Sequence, residues 1–330
     1  MENISEKNLI YKENKDAIRV WNLTKKFGDL TAVENSTFTI ERGIIVGILG
    51  PNGAGKTTTI RMITGVFKLE NNSKIEVFGE DISKSKNKYK KNFGIIPEVS
   101  NAFSDYTVWQ NMKFSGGIYG LSREIIKKRA IELLTKFNLI DKIHSKTKSL
   151  SKGLKQRLNL CIALLHDPPI LIMDEPTSGL DPISVNLMRE QILKLKAEGK
   201  TILITTHNMR EAQIICDRIL IMNKGKIIAS ESPDYLRKKF KSPSTIRCKV
   251  DICPPQQKEQ LLNMFKFSEE GNHLLISSKN AIKDISILYQ LSKENNLKIS
   301  ELKIEDTSLE QVFIHLIEED SNNKEEVEKK

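Results

Sequence analysis

The amino-acid sequence predicts an α/β fold in which a buried, mostly parallel sheet forms the core, followed by a smaller α+β domain. Two observations support this prediction. Between residues 170 and 229, short apolar runs typical of central strands alternate with helical patterns. Earlier in the chain, the β-branched run GIIVGILG (43–50) leads through a glycine-rich turn into an apolar-periodic helix. Such alternation is typical of a sheet whose faces are covered by helices.

The elements of the first domain, expected at 17–232, follow from these periodicities. Residues 1–16 are polar and are expected to form a flexible N-terminus. Helical patterns between about 100 and 168 predict a helical subdomain within the larger domain. The remaining patterns predict strands at 17–27, 33–41, 44–49, 73–79, 93–98, 170–176, 201–207, 218–225 and 226–230, and helices at 57–67, 183–198 and 208–216.

A proline-, serine- and lysine-rich linker at 232–243 separates the first domain from a second one. Residues 244–318 alternate between strand and helix patterns, which predicts a small α+β domain. Its helices are expected from about 255, at 281–294 and in the last patterned segment, SLEQVFIHLIEE. The charged stretch 319–330 is expected to be a disordered tail.

The composition predicts a globular protein without a membrane-spanning segment. The chain is 39% hydrophobic and 28% charged, as ordinary globular proteins are. No run approaches the roughly 18 apolar residues that a membrane span needs. The N-terminus lacks the apolar region of a secretory signal, and none of the four cysteines forms a C-x-x-C pair. We therefore expect a cytoplasmic protein with reduced thiols.

The net charge of +10 has two readings. Lysines are spread along the chain, which favours a solvated surface. Electrostatic attraction to nucleic acid or to an anionic membrane is the alternative.

The glycine-rich turn, GPNGAGKTT at 50–58, fits the pattern G-x-x-x-x-G-K-[ST]. Glycines at 50, 53 and 55 allow the backbone N–H groups to turn around a phosphate, and the following helix adds its positive N-terminal end. Lys56 would reach the β- and γ-phosphates, and the Thr57 hydroxyl would bind Mg²⁺. The pattern predicts a P-loop nucleotide site.

A second part of this site is expected where the strand ILIMDEP (170–176) ends in two acids. Asp174 is the type of carboxylate that holds Mg²⁺ in P-loop NTPases. Glu175 points the other way along the strand and could polarise an attacking water as general base. His207 ends another strand, TILITTH, and could donate a hydrogen bond to a γ-phosphate, although a lone strand-end histidine is more often structural.

Five ordered motifs resemble those of ABC transporter ATP-binding subunits. They are GPNGAGKTT (50–58), LSKGLKQRL (150–158), ILIMDEP (170–176), SGLD (178–181) and TTH (205–207), and the resemblance covers about residues 17–230. The segment SLEQVFIHL and the small domain before it resemble cassettes of the drug- and antibiotic-efflux branch. The resemblance implies a P-loop NTPase with a RecA-like mixed sheet core and a helical subdomain, with ATP and Mg²⁺ as ligands.

The resemblance assigns roles to individual residues. Glu175 resembles the catalytic base and His207 the histidine that senses the γ-phosphate. Thr57, Asp174 and Glu98 would form the Mg²⁺ shell. The ring of Phe27 would stack on adenine, with packing in the core as the alternative role. The residues implied to bind ATP are Phe27, Gly50, Pro51, Asn52, Gly53, Ala54, Gly55, Lys56, Thr57 and Thr58.

The segment LSKGL resembles the family signature, usually LSGGQ, which binds the ATP held by a second subunit. Ser151 would offer its hydroxyl and Gly153 its N–H, while Lys152 and Leu154 depart from the usual glycine and glutamine. The resemblance therefore implies a two-fold pair of ATP-binding subunits with two nucleotides at the seam, where Asp181 would lie. A homodimer is expected, with a related partner subunit as the alternative.

Glu98 stands where the family usually has the glutamine that links the metal to the membrane partner. A carboxylate can still bind Mg²⁺. Downstream, five aromatic residues lie in the region that, in the family, flanks the groove for the membrane subunit. They would either contact that subunit or pack in the core of the helical subdomain, and the sequence favours neither role. They are Phe103, Tyr106, Trp109, Phe114 and Tyr119.

Together these features predict an ATPase subunit, peripheral at the cytoplasmic face of the membrane, that powers a separate membrane-spanning exporter of a drug-, antibiotic- or lipid-like substrate. No nucleic-acid partner is expected. One alternative is an ABC ATPase that acts on ribosomes or DNA, but the single cassette and the roughly 90 residues between P-loop and signature argue against it. A regulatory ligand-binding protein is a further alternative, which the intact Glu175 disfavours.

Overall fold

The computed structural model describes residues 15–70, 72–85, 88–239, 244–252, 264–271, 273–278, 280–294, 298–305 and 309–328. The chain divides into two compact units, the first ending at Pro233 and the second beginning at Asp234. Each unit is described by itself.

The elements of the first unit alternate as the apolar patterns predict. Its strands are β1 (Asp16–Phe27), β2 (Leu30–Glu41), β3 (Ile45–Leu49), β4 (Lys74–Val77), β5 (Glu80–Asp81), β6 (Phe93–Ile96), β7 (Ile170–Asp174), β8 (Thr201–Thr206), β9 (Arg218–Asn223) and β10 (Lys226–Glu231). Its helices are α1 (Lys56–Ile63), α2 (Val108–Ile118), α3 (Arg123–Lys136), α4 (Lys152–Leu164), α5 (Pro182–Ala197) and α6 (Met209–Ile215), with short 3₁₀ turns at Lys88–Asn92, Ile140–Lys142 and Thr147–Ser149.

The central sheet has six strands in the order β10-β9-β3-β8-β7-β6 and is parallel except for β10. Every residue of β3, β7 and β8 is buried, as expected of central strands in a parallel sheet. The prediction of a buried, mostly parallel sheet is confirmed. Because parallel strands end at the same edge, the residues after β3, β7 and β8 lie together.

A second, antiparallel sheet of four strands has the order β2-β1-β4-β5. Its apolar face shares one core with the central sheet and α1, in which Leu23 and Ile40 belong to the same cluster as Ile48 and Ile60. Phe27 is the last residue of β1 and lies at the end of this sheet.

Helix α1 is shorter than predicted, ending at Ile63 rather than 67. Gly65 adopts a positive φ of 69°, which is the left-handed conformation that commonly terminates helices. The Thr64 hydroxyl donates to the Ile60 carbonyl at 2.9 Å and covers one of the last helical acceptors. The apolar periodicity beyond this point belongs to a turn.

Helical structure dominates between residues 108 and 164, in agreement with the predicted helical pattern. Thr107 and Gln110 form a reciprocal capping box at the start of α2. The buried Asn111 side chain donates to the carbonyls of Phe103 and Thr107 and to the Thr147 hydroxyl. These bonds fix the loop before α2 against the turn that precedes the signature segment.

The second unit is an antiparallel sheet in the order β12-β13-β11-β14 with helices. Leu288 of α8 packs with Ile246, Cys248 and Ile276 of the sheet in one core. The helix predicted from about 255 lies outside the described residues. The elements are α7 (Pro233–Lys239), which spans the point of division, β11 (Ser244–Ile252), β12 (Lys266–Glu270), β13 (His273–Ser278), α8 (Ala281–Glu294), β14 (Lys298–Glu305) and α9 (Leu309–Glu328).

The last helix continues to Glu328, so the expectation of disorder from residue 319 is wrong for most of that stretch. Glutamate and lysine are strong helix formers, and a high charge density therefore does not by itself end a helix. Within the described ranges, no helix is both long enough and apolar enough to span a bilayer.

His166 connects the helical region to the central sheet. Its ring stacks on Tyr119, which caps the end of α2, with ring centroids 3.6 Å apart and planes 7° apart. Its Nε2 lies 3.0 Å from the carbonyl oxygen of Phe93, the first residue of β6. Burial lowers the pKa of His166 from 6.5 to about 4.

This lowered pKa makes stability depend on pH. Between about pH 4 and 6.5 the unfolded chain binds a proton at His166 that the folded chain does not, so folding stability falls as the pH falls through this window. We expect His166→Phe, which keeps an aromatic ring on Tyr119, to weaken this loss. Between pH 7 and pH 5 its thermal midpoint should fall by about 2–4 °C less than that of the wild type. Equal falls in both proteins would contradict this account.

Candidate functional site

The loop 50–58 lies between β3 and α1, and its glycines are required by space as well as by backbone angle. A Cβ at Gly50 would lie 2.3 Å from the Met222 carbonyl oxygen. Gly55 has φ +105°, and a Cβ there would lie 2.4 Å from the Ala32 carbonyl oxygen. Gly53 has φ +82° but faces open space. The loop leads into the first turn of α1, whose N–H groups have no intrahelical partner.

Lys56 lies across the mouth of this loop. Its Nζ donates to the carbonyl oxygens of Gly50, at 2.8 Å, and Pro51, at 3.1 Å. It also lies 3.7 Å from Oε1 of Glu175, and the two side chains are only 7% and 10% exposed. Charge attraction at this distance is on the order of 4 kcal/mol, and desolvation of both groups costs a similar amount. The pair therefore contributes little net stability, and it places the Lys56 ammonium at the loop where an anion would bind.

Asp174, at the end of β7, gathers two hydroxyls. Its Oδ1 accepts hydrogen bonds from Thr57, at 3.3 Å, and from Thr205 of β8. A hydroxyl and a carboxylate oxygen held side by side are the oxygen ligands that Mg²⁺ prefers. The described part of the chain holds no group of three or more His, Cys, Asp or Glu that could bind a metal alone. Phosphate oxygens and water would have to complete the shell.

Glu175 contacts both Lys56 and His207. Its Oε2 lies 2.9 Å from Nδ1 of His207, which is 54% exposed, while Oε1 faces Lys56. Its backbone has φ +47°, a conformation that costs a non-glycine residue on the order of 1–3 kcal/mol. The Glu175 N–H is bonded to both the carbonyl and the hydroxyl of Thr205, at 3.1 Å each, which holds this conformation.

Thr205 is the site residue that the sequence reasoning missed. It bonds to both acids at the end of β7, through its hydroxyl and its carbonyl. The signal was present in the segment TTH, because a polar residue at the end of a buried strand beside an acidic strand end has to find a partner.

Lys56, Thr57, Glu175 and His207 line one cleft of 450 Å³. Asp174 and Thr205 are buried, and Asp174 is linked to the cleft through its bond to Thr57. Phe27 is 44% exposed on its wall, and its ring meets Phe67 edge to face at 5.5 Å. This exposure argues against core packing as the role of Phe27. Glu98 follows β6 and is exposed on the same wall as Lys56 and Thr57. The lining is Phe27, Leu30, Ala32, Asn52, Gly53, Ala54, Gly55, Lys56, Thr57, Thr58, Glu98, Glu175, Ser178 and His207.

The signature residues and Asp181 form a separate cluster, and none of them is among the described residues that line the cleft. Ser151 caps α4 by accepting from the N–H of Leu154 at 3.3 Å. Asp181 caps α5 and accepts from the N–H and hydroxyl of Ser184, and these hydrogen bonds hold the pKa of Asp181 below its usual value. A Cβ at Gly153 would lie 2.6 Å from the Ser184 hydroxyl, so the signature packs directly against α5.

Comparison with known proteins agrees with this geometry. A family model described as "ABC transporter" matches residues 33–178. The chain is 38% identical over 219 residues to the Nod factor export ATP-binding protein I of Ralstonia nicotianae. The aligned region covers 66% of this chain and 68% of the relative. The chain is 33% identical over 300 residues to the linearmycin resistance ATP-binding protein LnrL of Bacillus subtilis, covering 89% of this chain and 96% of the relative.

Solved structures extend the similarity to three dimensions. The chain superposes on an ATP-binding subunit of an ABC transporter with a TM-score of 0.62 at 32% identity, over 68% of this chain and 93% of that one. It superposes on cbiO1 of Clostridium perfringens, part of the ABC transporter complex cbiONQ, with a TM-score of 0.63 at 26% identity, over 76% of this chain and 96% of that one.

The two positive-φ glycines of the loop provide a matched pair of substitutions. Gly53→Ala and Gly55→Ala both place a side chain in the left-handed region, but only Gly55→Ala also drives a methyl group into the Ala32 carbonyl. We expect Gly55→Ala to lower the free energy of unfolding by at least about 2 kcal/mol more than Gly53→Ala does. This corresponds to a difference of about 4–8 °C in thermal midpoint. Equal midpoints would show that the loop relaxes away from β2.

Proposed function

The chain belongs to the family of ABC transporter ATP-binding proteins, and from that premise we propose that it powers a separate membrane-embedded exporter from the cytoplasmic face of the membrane. The observation that carries the proposal is the arrangement around Glu175. One carboxylate faces both Lys56 and His207, and Asp174 next to it holds Thr57. The glycine-rich loop, Thr57, Glu175 and His207 therefore line a single cleft, and the buried Asp174 is bonded to Thr57.

The family activity is hydrolysis of ATP, and the chain's residues divide that work. Lys56 would leave the carbonyls of Gly50 and Pro51 for the β- and γ-phosphates. Thr57 and Asp174 would hold Mg²⁺, which neutralises phosphate charge when it is bound. Glu175 would accept the proton of the attacking water, since one of its oxygens is oriented by His207. His207, half exposed in the cleft, would donate to the γ-phosphate.

Two further residues that line the cleft would contribute to the binding of adenine and of the metal. Phe27 offers a half-exposed aromatic ring in the lining of the cleft, on which adenine would stack. Glu98 places a carboxylate in the lining of the cleft, which Thr57 and Glu175 also line. This charge would favour tighter binding of a divalent cation than a glutamine would.

We propose that ATP joins two copies of the chain. Ser151, Lys152, Gly153, Leu154 and Asp181 lie outside the chain's own cleft, as residues that complete the site of another copy should. The first turn of α4 contains basic but no acidic residues, which suits the phosphates of a nucleotide. Because one chain carries both halves of the site, two equivalent sites support a homodimer rather than a pair with a related subunit.

Export, rather than import, is supported by the printed roles of two relatives, which are named for Nod factor export and linearmycin resistance. The similarity to the resistance protein extends over 89% of the chain and includes most of the second unit. On this basis we propose a drug-, antibiotic- or lipid-like substrate, whose path lies in the membrane subunit.

An aromatic patch supplies the proposed contact with that subunit. Phe103, Tyr106 and Phe114 are exposed and touch one another, with the ring of Phe103 5.0 Å from each of the other two. Their exposure supports a binding surface over helical core. Aromatic anchors of this kind suit an apolar helix of a partner.

We expect Glu175→Gln to bind ATP like the wild type but to hydrolyse it about 10²- to 10⁴-fold more slowly, because the amide cannot accept the proton. The variant should also remain a dimer with ATP and Mg²⁺, seen as an earlier-eluting species in size-exclusion chromatography. Turnover is measured by phosphate release and binding by equilibrium dialysis. Asp234→Asn, an exposed acid outside the cleft, is the matched control. Unchanged turnover in Glu175→Gln would remove Glu175 from the base role.

The exporter assignment is tested by purification of the tagged chain from detergent-solubilised native membranes, with mass spectrometry of the proteins that co-purify. We expect a polytopic membrane protein, and we expect Phe103→Ala combined with Phe114→Ala to lower its recovery while ATP hydrolysis persists. Recovery of ribosomal or chromosomal proteins without a membrane protein would instead support an ABC ATPase that acts on those assemblies.

A further inference from the structure

A buried carboxyl group that the proposed mechanism does not use lies beside the site. Glu211, in the first turn of α6, is only 2% exposed. Its backbone N–H donates to the side chain of Asn208, the N-cap of the same helix, at 3.0 Å. Helix α6 directly follows His207, so the backbone of Glu211 is fixed relative to the histidine that contacts Glu175.

The side chain of Glu211 has one protein partner in the described residues. The hydroxyl of Thr177 donates to its Oε2, while its Oε1 is buried and has no hydrogen-bond partner there. Burial raises the pKa of Glu211, against opposing effects of the Thr177 hydroxyl and the Arg189 charge. Because a buried carboxyl is costly when it lacks partners, the bond to Thr177 is the hydrogen bond that stabilises this side chain in its buried position.

Thr177 belongs to the loop that carries the chemistry. Glu175 precedes it by two residues, and Asp181, the cap of α5, follows it by four. Within the loop, the N–H of Ser178 donates to the Glu175 carbonyl at 3.1 Å, and the N–H of Leu180 donates to the Thr177 carbonyl at 3.2 Å. Movement of Thr177 is therefore transmitted to both ends of the loop.

Glu175 is sensitive to such movement. Its backbone is held at φ +47°, and its two carboxylate oxygens face different residues, Lys56 and His207. A base of this kind loses efficiency when its carboxylate shifts by a fraction of an ångström. Thr205 holds the N–H of Glu175 from the side of β8, and the Thr177–Glu211 bond holds the loop from the side of α6.

We propose that Glu211 is a positioning residue for ATP hydrolysis, which fixes Thr177 and, through it, the loop from Glu175 to Asp181 relative to the helix that follows His207. The proposal rests on the role of Glu175 proposed above. It assigns Glu211 no contact with the nucleotide, so its loss should change turnover and leave nucleotide affinity unchanged.

The test uses four variants of the full chain: Glu211→Ala, Glu211→Gln, Thr177→Val and the double variant Glu211→Ala with Thr177→Val. We expect Glu211→Ala and Thr177→Val each to lower kcat about 10-fold, with the equilibrium Kd for ATP within about 2-fold of the wild type. The glutamine of Glu211→Gln can still accept from the Thr177 hydroxyl, and it should restore kcat to within about 2-fold of the wild type.

The double variant decides whether the two residues act through one bond. Its kcat should equal that of either single variant, because breaking the same bond twice adds nothing. A further 10-fold loss would overturn the proposal, as would a wild-type kcat in folded Thr177→Val. Should Glu211→Ala fail to fold, Thr177→Val and Glu211→Gln still decide the matter. A wild-type chain that hydrolyses no ATP would refute the activity itself, whereas failure of the proposal leaves wild-type hydrolysis intact.

Discussion

The in-register pairing of β3, β8 and β7 is the constraint on which the site depends. Parallel hydrogen bonding places Leu49 opposite Thr206 and Asp174 opposite Thr205, so three strands end within one residue of the same level. The next residues along each strand are Gly50, Glu175 and His207. A slip of one residue in any of these pairs would turn each side chain to the other face of the sheet and separate the acids from the phosphate loop.

Local strain at the site is offset by bonds from the neighbouring strand. The left-handed backbone of Glu175 costs on the order of 1–3 kcal/mol, and hydrogen bonds contribute about 1 kcal/mol each. The Glu175 N–H donates to both the carbonyl and the hydroxyl of Thr205, and this shared hydrogen bond offsets part of the strain. The attraction between Lys56 and Glu175 is likewise offset in large part by the desolvation of both groups.

The cleft and the signature cluster are two separate groups of residues in the first unit. Ser151 and Asp181 are satisfied as helix caps within the chain, through Leu154 and Ser184. At the N-terminus of α4 the Ser151 hydroxyl leaves other first-turn N–H groups uncapped, whereas at α5 the Asp181 carboxylate itself supplies the negative charge that the helix end favours. The loop that ends in Asp181 begins at Glu175, and the two groups are thereby connected by seven residues of chain.

The sequence by itself determined the fold class, the phosphate loop and the paired acids, because each depends on local pattern: apolar runs for buried strands, glycines for the loop, and charge at a strand end. It also predicted Phe27, Glu98 and His207 as site residues, and the structure places all three in the lining of one cleft. Only the tertiary structure revealed the bonds of Thr205 and Glu211, since their partners lie about 30 residues away in sequence. The high charge content led to a wrong prediction of disorder at the end of the chain, because glutamate and lysine are common both in disordered segments and in helices.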